Sequence, residues 1–334
     1  MEKILLAHGG GGVLTDNLIK EVILKKLGNK LLTPLEDSAV FSIGSKKLAF
    51  TTDSFVVKPL FFPGGDIGKI SVCGTVNDLS VSGATPLYLS LSLIIEEGFS
   101  MESLKKIIDS VEETAGEAGI TVITGDTKVV EKGSGDEIFI NTAGIGVIEN
   151  AQSLTLAGAK EGDKIIINGY IADHGISVML QRSGIAVELP VESDVAPLNG
   201  LVKDILKSSK HIRCLKDPTR GGVAGALNEI AIASSLGMVI YEKHIPLRKE
   251  VKSACDLLGF DPLTVANEGK IITICAGNEA EHVLSVMKEN KYGKNSVIIG
   301  EVVNKHKGRV VVKTPVGGSR ILERPYGENL PRIC

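Results

Sequence analysis

The 334-residue sequence predicts an α+β protein of two domains, in which mixed sheets carry helices on one side. The length fits two domains at about 100–200 residues each. Strand-like and helix-like segments interleave in both halves. A turn-rich stretch, LAGAKEGD at 156–163, separates them. The expected division is residues 1–155, residues 156–315 and a flexible tail over 316–334.

In the first half, SAVFSI at 38–43 and KLAFTT at 47–52 are strand-like, and Gly44-Ser45 between them reads as a hairpin turn. Residues 66–83 form a helix of small side chains, as expected where a helix lies close against another backbone. Residues 86–95 alternate apolar and small, which suits a strand. Met101, Leu104, Ile107, Ile108, Val111, Ala115 and Ala118 recur at spacings of three and four, the mark of an amphipathic helix. Segments 120–124 and 138–148 read as strands, apolar on both faces and therefore buried.

The second half opens with a strand at 164–170. Helices are expected near 173–183, 198–210 and 220–235. A strand at 237–242, a helix at 248–258, a strand at 271–276, a helix at 279–289 and a strand at 297–303 complete the series. After Pro315 the character changes. GGSRILERPYGENLPRIC has no period of 2 or 3.6 and reads as a flexible arm. Extended, it reaches about 50–60 Å at roughly 3.3 Å per residue, enough to visit a distant site.

Composition excludes several classes. A net charge of −3 with scattered basic residues gives no electrostatic footprint for nucleic acid. Aromatic residues make up 4% and Trp is absent, which argues against a base-stacking platform. The opening MEKILLAHGGGG is too short in apolar length for a signal peptide. No run approaches the roughly 18 apolar residues of a membrane span, so a cytoplasmic protein is expected. Five cysteines, an odd count without a CxxC pair, argue against a disulfide framework or a structural zinc site. Cys73, Cys214, Cys255 and Cys275 read as small core residues.

Five features carry candidate chemistry. Gly9, Gly10, Gly11 and Gly12 leave backbone N–H groups open to an anion, or form a flexible linker. Asp37, Asp53, Asp78 and Asp126 stand in separate segments. Each alone reads as a cap or turn residue, whereas together they suit Mg²⁺ on a triphosphate. DPTRGGV at 217–223 opens a helix, with Gly221-Gly222 allowing close backbone approach. Glu268, in the polar break ANEGK, reads as a general base, a metal ligand or a surface turn. Cys334 ends the chain, a position chance gives cysteine only about one or two times in a hundred. A thiol on a mobile arm suits carriage of a group between sites, with the thiolate as nucleophile. Neither a Walker A nor a GxGxxG pattern occurs.

LEDSAVFSIGSKKLAFTTDSFVV, TVNDLSVSGATPLYLS and TGDTKVV together resemble the ATP-binding segments of aminoimidazole ribonucleotide (AIR) synthase-type proteins. Selenophosphate synthetase and thiamin-monophosphate kinase belong to the same superfamily. Within it, HGGGG, DPTRGGVA, NEGK and the PRIC ending make the whole chain similar to the HypE family of hydrogenase maturation factors. The resemblance implies an AIR synthase-like fold whose N-terminal domain pairs in a homodimer, with ATP near that interface. It implies that Asp37, Asp53, Asp78 and Asp126 touch Mg²⁺ or phosphates. Gly9 to Gly12, Asn77, Thr127 and Lys128 are implied to join Asp53, Asp78 and Asp126 at the nucleotide. It further implies that the carbamoyltransferase HypF modifies Cys334. ATP-dependent dehydration then yields a thiocyanate, and the cyanide passes through a HypC–HypD complex to iron.

That chemistry needs a base for the N–H protons. Glu268 is the first candidate and Lys128 the second; His174 and His8 are weaker. Two other readings stand beside it. A selenophosphate synthetase places a reactive cysteine near its glycine-rich loop, whereas here no cysteine precedes Cys73. A carrier or scaffold would only present Cys334 to partner enzymes.

Overall fold

The computed structural model describes residues 3–149, 154–184, 191–327 and 332–334. The N-terminal glycines lead into α1 (Val13–Leu18), a π-helical stretch Ile19–Leu24 and α2 (Lys25–Leu27). The first domain then forms β1 (Ala39–Ile43), β2 (Lys46–Phe55), the small hairpin β3 (Phe61–Phe62) and β4 (Gly65–Asp66), and α3 (Ile67–Val81). β5 (Thr85–Glu96), α4 (Met101–Ala118), β6 (Thr121–Val130) and β7 (Ile138–Ile148) complete it. Its sheet runs β1-β2-β7-β5-β6, antiparallel except for the β5–β6 pair, which α4 connects as a crossover.

α3 is buried on almost every side, which explains its small side chains. A Cβ on Gly68 would sit 2.4 Å from the Ile107 carbonyl of α4, so only glycine permits that approach. Asp66 caps the helix, its Oδ1 accepting from the N–H groups of Gly68 and Lys69 at 2.7 and 3.1 Å. α4 buries Ile107, Val111, Thr114, Ala115 and Ala118, the stripe its spacing predicts.

The second domain runs through β8 (Lys164–Ile167), α5 (Asp173–Ser183), α6 (Asn199–Ser208), β9 (Ile212–Lys216), α7 (Gly222–Ser234) and β10 (Gly237–Tyr241). It continues with α8 (Lys249–Leu258), β11 (Ile272–Cys275), α9 (Ala280–Glu289), β12 (Val297–Val303), β13 (Val310–Lys313) and β14 (Ser319–Leu322). The sheet order is β14-β13-β10-β12-β8-β11-β9. Helices lie on one face of the first sheet, but the second is covered on both. Ile165 and Ile167 pack with α5, α7 and α8, and Ile166 between them packs with α6 and α9.

Two expectations change. The segment 120–124 is not buried. β6 is an edge strand with only one neighbour, and nearly all of it is exposed. The arm expected from residue 316 begins as β14, paired antiparallel with β13, so it leaves the sheet only after Leu322. Pro331 of the PRIC ending lies outside the described residues.

Candidate active site

A cavity of about 200 Å³ opens where the two domains meet. β2 brings Asp53, Ser54 and Phe55; α3 brings Gly74 and Asp78; the loop before β1 brings Asp37. From the second domain, the end of β9 supplies Lys216 and Asp217, the start of α7 Thr219 and Arg220, and the loop before β11 Glu268. Gly11 and Cys334 close the rim.

Negative charge dominates. Asp37, Asp53, Asp78, Asp217, Glu229 and Glu268 face two cations, Lys216 and Arg220, among the described lining residues. Lys216 pairs with Asp37 and lies 3.5 Å from Glu229. Burial opposes its charge, but Asp37 and Glu229 outweigh that and hold its ammonium well above the usual lysine range. One oxygen each from Asp37, Asp78 and Asp217 lies within 4.8 Å of the others. Thr51 Oγ1 donates to Asp78 Oδ2 at 2.9 Å and Ser38 Oγ to the Asp78 carbonyl at 3.0 Å, so the carboxylate is fixed in place. Burial first, then the neighbouring carboxylates, pushes Asp78 well above the usual carboxylate range. Asp217 is pushed up to about 7 by burial and then by Asp37. Burial also raises Asp53, against the pull of Arg220.

Glu268 is 3% exposed, and its Oε1 has no hydrogen-bond partner among the described residues. Its carboxyl is raised well above the usual range, by burial and then by Asp217, Asp194 and Asp53. The residue is thus a buried acid aimed into the cavity, and the surface-turn reading does not hold.

Cys334 reaches the cavity because the chain end docks beside residues 56–58. The N–H groups of Val56 and Lys58 donate to a carboxylate oxygen of Cys334 and to the Arg332 carbonyl at 3.0 and 3.2 Å. Ile333 is 2% exposed and packs with Phe55, Phe62 and Val178. His174 Nε2 donates to the Ile333 carbonyl at 2.9 Å. Burial holds the His174 imidazole below its usual range, so it is neutral.

The other sequence candidates lie elsewhere. Asn77 is 2% exposed and its amide is committed to the domain contact: Nδ2 donates to the carbonyls of Ala196 and Glu268, and Oδ1 accepts from Leu198 N–H. It therefore braces the peptide of Glu268. Asp126, Thr127 and Lys128 stand on exposed β6, where Lys128 pairs with Asp126 at 2.8 Å. Three strand spacings separate β6 from β2, roughly 14 Å at about 4.8 Å each, so within one chain Asp126 does not join the carboxylate cluster. Of the glycine run only Gly11 lines the cavity. Gly9 accepts from Arg220 at 3.3 Å, and a Cβ on Gly12 would meet the Pro325 carbonyl at 2.3 Å. His8 is buried, with its ring bonded to Leu5. Asp217 was missing from the metal candidates. Its signal was the DPTRGGV motif, which reads equally well as an ordinary helix start.

Comparison with known proteins shows the family. Residues 35–148 match the N-terminal domain of AIR synthase related proteins, and residues 160–313 match the C-terminal domain. The chain is 45% identical to the carbamoyl dehydratase HypE of Azotobacter vinelandii, over 98% of this chain and 96% of that one. It superposes on HypE in a HypE–HypF complex with a TM-score of 0.88 at 49% identity, covering 92% of this chain and 99% of that chain. It superposes on hydrogenase maturation protein HypE bound to ATP with a TM-score of 0.84 at 42% identity, covering 99% of this chain and 100% of that chain. No helix of the described residues is long and apolar enough to cross a membrane. A two-domain carboxylate cavity that receives the chain's own terminal cysteine, on a chain matched end to end in this way, belongs to the HypE carbamoyl dehydratase family of AIR synthase related proteins.

Proposed function

We propose that the chain dehydrates a carbamoyl group carried on Cys334, using ATP, and so supplies the cyanide ligand for iron in [NiFe]-hydrogenase maturation. The observation that carries this reading is the terminal thiol docked at a carboxylate cavity that also holds a buried glutamate whose Oε1 has no hydrogen-bond partner among the described residues.

The steps follow from the chemistry of the group. The thiocarboxamide oxygen attacks the γ-phosphorus of ATP, and ADP departs with the electrons of the broken P–O bond. The oxygen, now phosphorylated, can leave. Loss of the nitrogen's two protons and departure of phosphate with the C–O electron pair leave S–C≡N. Glu268, as the carboxylate, accepts a nitrogen proton; its Oε1 lines the cavity without a hydrogen-bond partner among the described residues, which suits that role. The excess of carboxylates over cations fits a hard divalent ion, with Asp37, Asp78 and Asp217 to hold it and Asp53 beside them. Mg²⁺ bound there would offset phosphate charge. An adjoining cavity of about 200 Å³ shares Asp37 and is walled by Leu31, Pro34, Val40, Ile148 and Leu154, which suits an apolar purine face.

Modification of Cys334 is assigned to HypF and acceptance of the cyanide to a HypC–HypD complex in the cytoplasm. A homodimer through the first domain gives exposed β6 a partner, and brings Asp126, Thr127 and Lys128 into play at the interface. The division into residues 1–155, 156–315 and 316–334 assigns ATP and dimer contacts to the first part and the reactive cysteine to the last.

Intact-protein mass spectrometry with HypF, carbamoyl phosphate, ATP and Mg²⁺ tests the reading. The wild type gains one carbamoyl and then loses one water. Glu268→Gln keeps the carbamoyl and loses water about 10²–10⁴-fold more slowly. An adduct that persists in the wild type supports the carrier reading instead, and an adduct placed elsewhere than Cys334 sinks both.

A further inference from the structure

The docked chain end is held by anchors on the residues that precede Cys334. His174 is fully buried, and its ring stands edge-on to Phe62 at a centroid distance of 5.4 Å. The Ile333 carbonyl can only accept, so Nε2 carries the hydrogen and Nδ1 accepts from Ser193 Oγ at 2.8 Å. Ser193 is itself fixed, because its Oγ accepts from Val195 N–H at 3.1 Å. At the rim, Arg332 Nε donates to the Val56 carbonyl at 2.8 Å and its guanidinium pairs with Asp136. Asp136 also holds Lys58 at 2.8 Å, and Arg182 donates to the Arg332 carbonyl at 2.8 Å. Burying one isoleucine does not require a histidine locked in a single tautomer by a second side chain. The arrangement fixes the register of the last three residues, and with it the place of the thiol.

The same docking has opposite consequences for two steps. Dehydration needs Cys334 in the cavity. Loading by another enzyme needs it out, because in the docked state Cys334 is half-buried at the rim and faces the cavity between the domains. We propose that His174, with Asp136 at the rim, is a positioning residue that divides Cys334 between loading by the partner enzyme and dehydration in the cavity. This rests on the dehydratase reading above. Loss of one such hydrogen bond shifts the docking equilibrium about three- to tenfold.

The test measures two rates on the full chain by intact mass: carbamoyl transfer to Cys334 by HypF, and ATP-dependent water loss from chain already loaded. His174→Phe fills the ring's space without a donor. His174→Gln restores a donor to Ile333 and an acceptor for Ser193. Asp136→Asn weakens the rim contact without touching the core. The expected result is that H174F and D136N load about three- to tenfold faster and lose water more slowly, while H174Q returns both rates toward wild type. Melting temperatures of H174F and D136N within a few degrees of wild type separate loss of the anchors from general loosening, which would also expose the thiol. Slowing of both steps together, no change in either, or an H174Q that behaves like H174F would overturn the proposal. Wild-type chain that loads but never loses water refutes the dehydratase reading, whereas the loading rates still report on the anchors.

Discussion

Glu268 is held at both ends of its peptide. Its N–H donates to Asp194 Oδ1 at 3.1 Å, and its carbonyl accepts from Asn77 Nδ2 at 3.3 Å. The next residue must be glycine, because a Cβ there would lie 1.7 Å from the Asp194 carbonyl. A buried acid fixed this way keeps its free oxygen on the cavity. NEGK was legible as a motif, and so was the terminal cysteine. Asn77 was not, because an asparagine in a helix of small residues reads the same whether it braces a loop or holds a ligand. Asp217 carries a prediction of its own. The native chain keeps its proton up to about pH 7, whereas the ordinary aspartate value is 3.8. Over that window the native state binds more protons than the unfolded one, so stability falls as pH rises, and the cost is fully present above pH 7. Metal-free melts at pH 5 and pH 8 should therefore show Asp217→Asn gaining about 1–4 kcal/mol on the wild type at pH 8 and much less at pH 5. Parallel curves for the two proteins would contradict this origin of the charge strain.

At the scale of elements, α3 and β6 show what periodicity does and does not reveal. α3 was read correctly from its small residues, because only close packing rewards glycine and serine in a helix. β6 was read as buried because its residues are apolar on both faces. Its true neighbours are β5 on one side and open solvent on the other, and Ile123 and Val129 are 59% and 67% exposed. An apolar edge strand left bare invites another chain. Ile123→Lys should convert a homodimer to monomer in light scattering while leaving the melting temperature of the single chain nearly unchanged. A variant that stays dimeric would move the interface elsewhere. β9 went unread because IRCLK is short and abuts the DPTRGG motif, whose turn residues dominate that stretch.

At the scale of the molecule, the two-domain α+β architecture was legible from length and from interleaved elements. The cavity between them was not, since it is built from seven separate stretches of chain that only folding brings together. Nor was the position of the tail. A segment rich in glycine and proline shows its reach but not where it rests, and here Ile333 and the anchors beside it bring it back between the domains. The central claim is that the group on Cys334 becomes a nitrile in that cavity. Infrared spectroscopy of chain loaded from ¹³C-labelled carbamoyl phosphate tests it most directly. The account predicts that adding ATP and Mg²⁺ produces a C≡N stretching band that shifts with the label and never appears in Cys334→Ala. An amide carbonyl band that persists unchanged after ATP is consumed would contradict it.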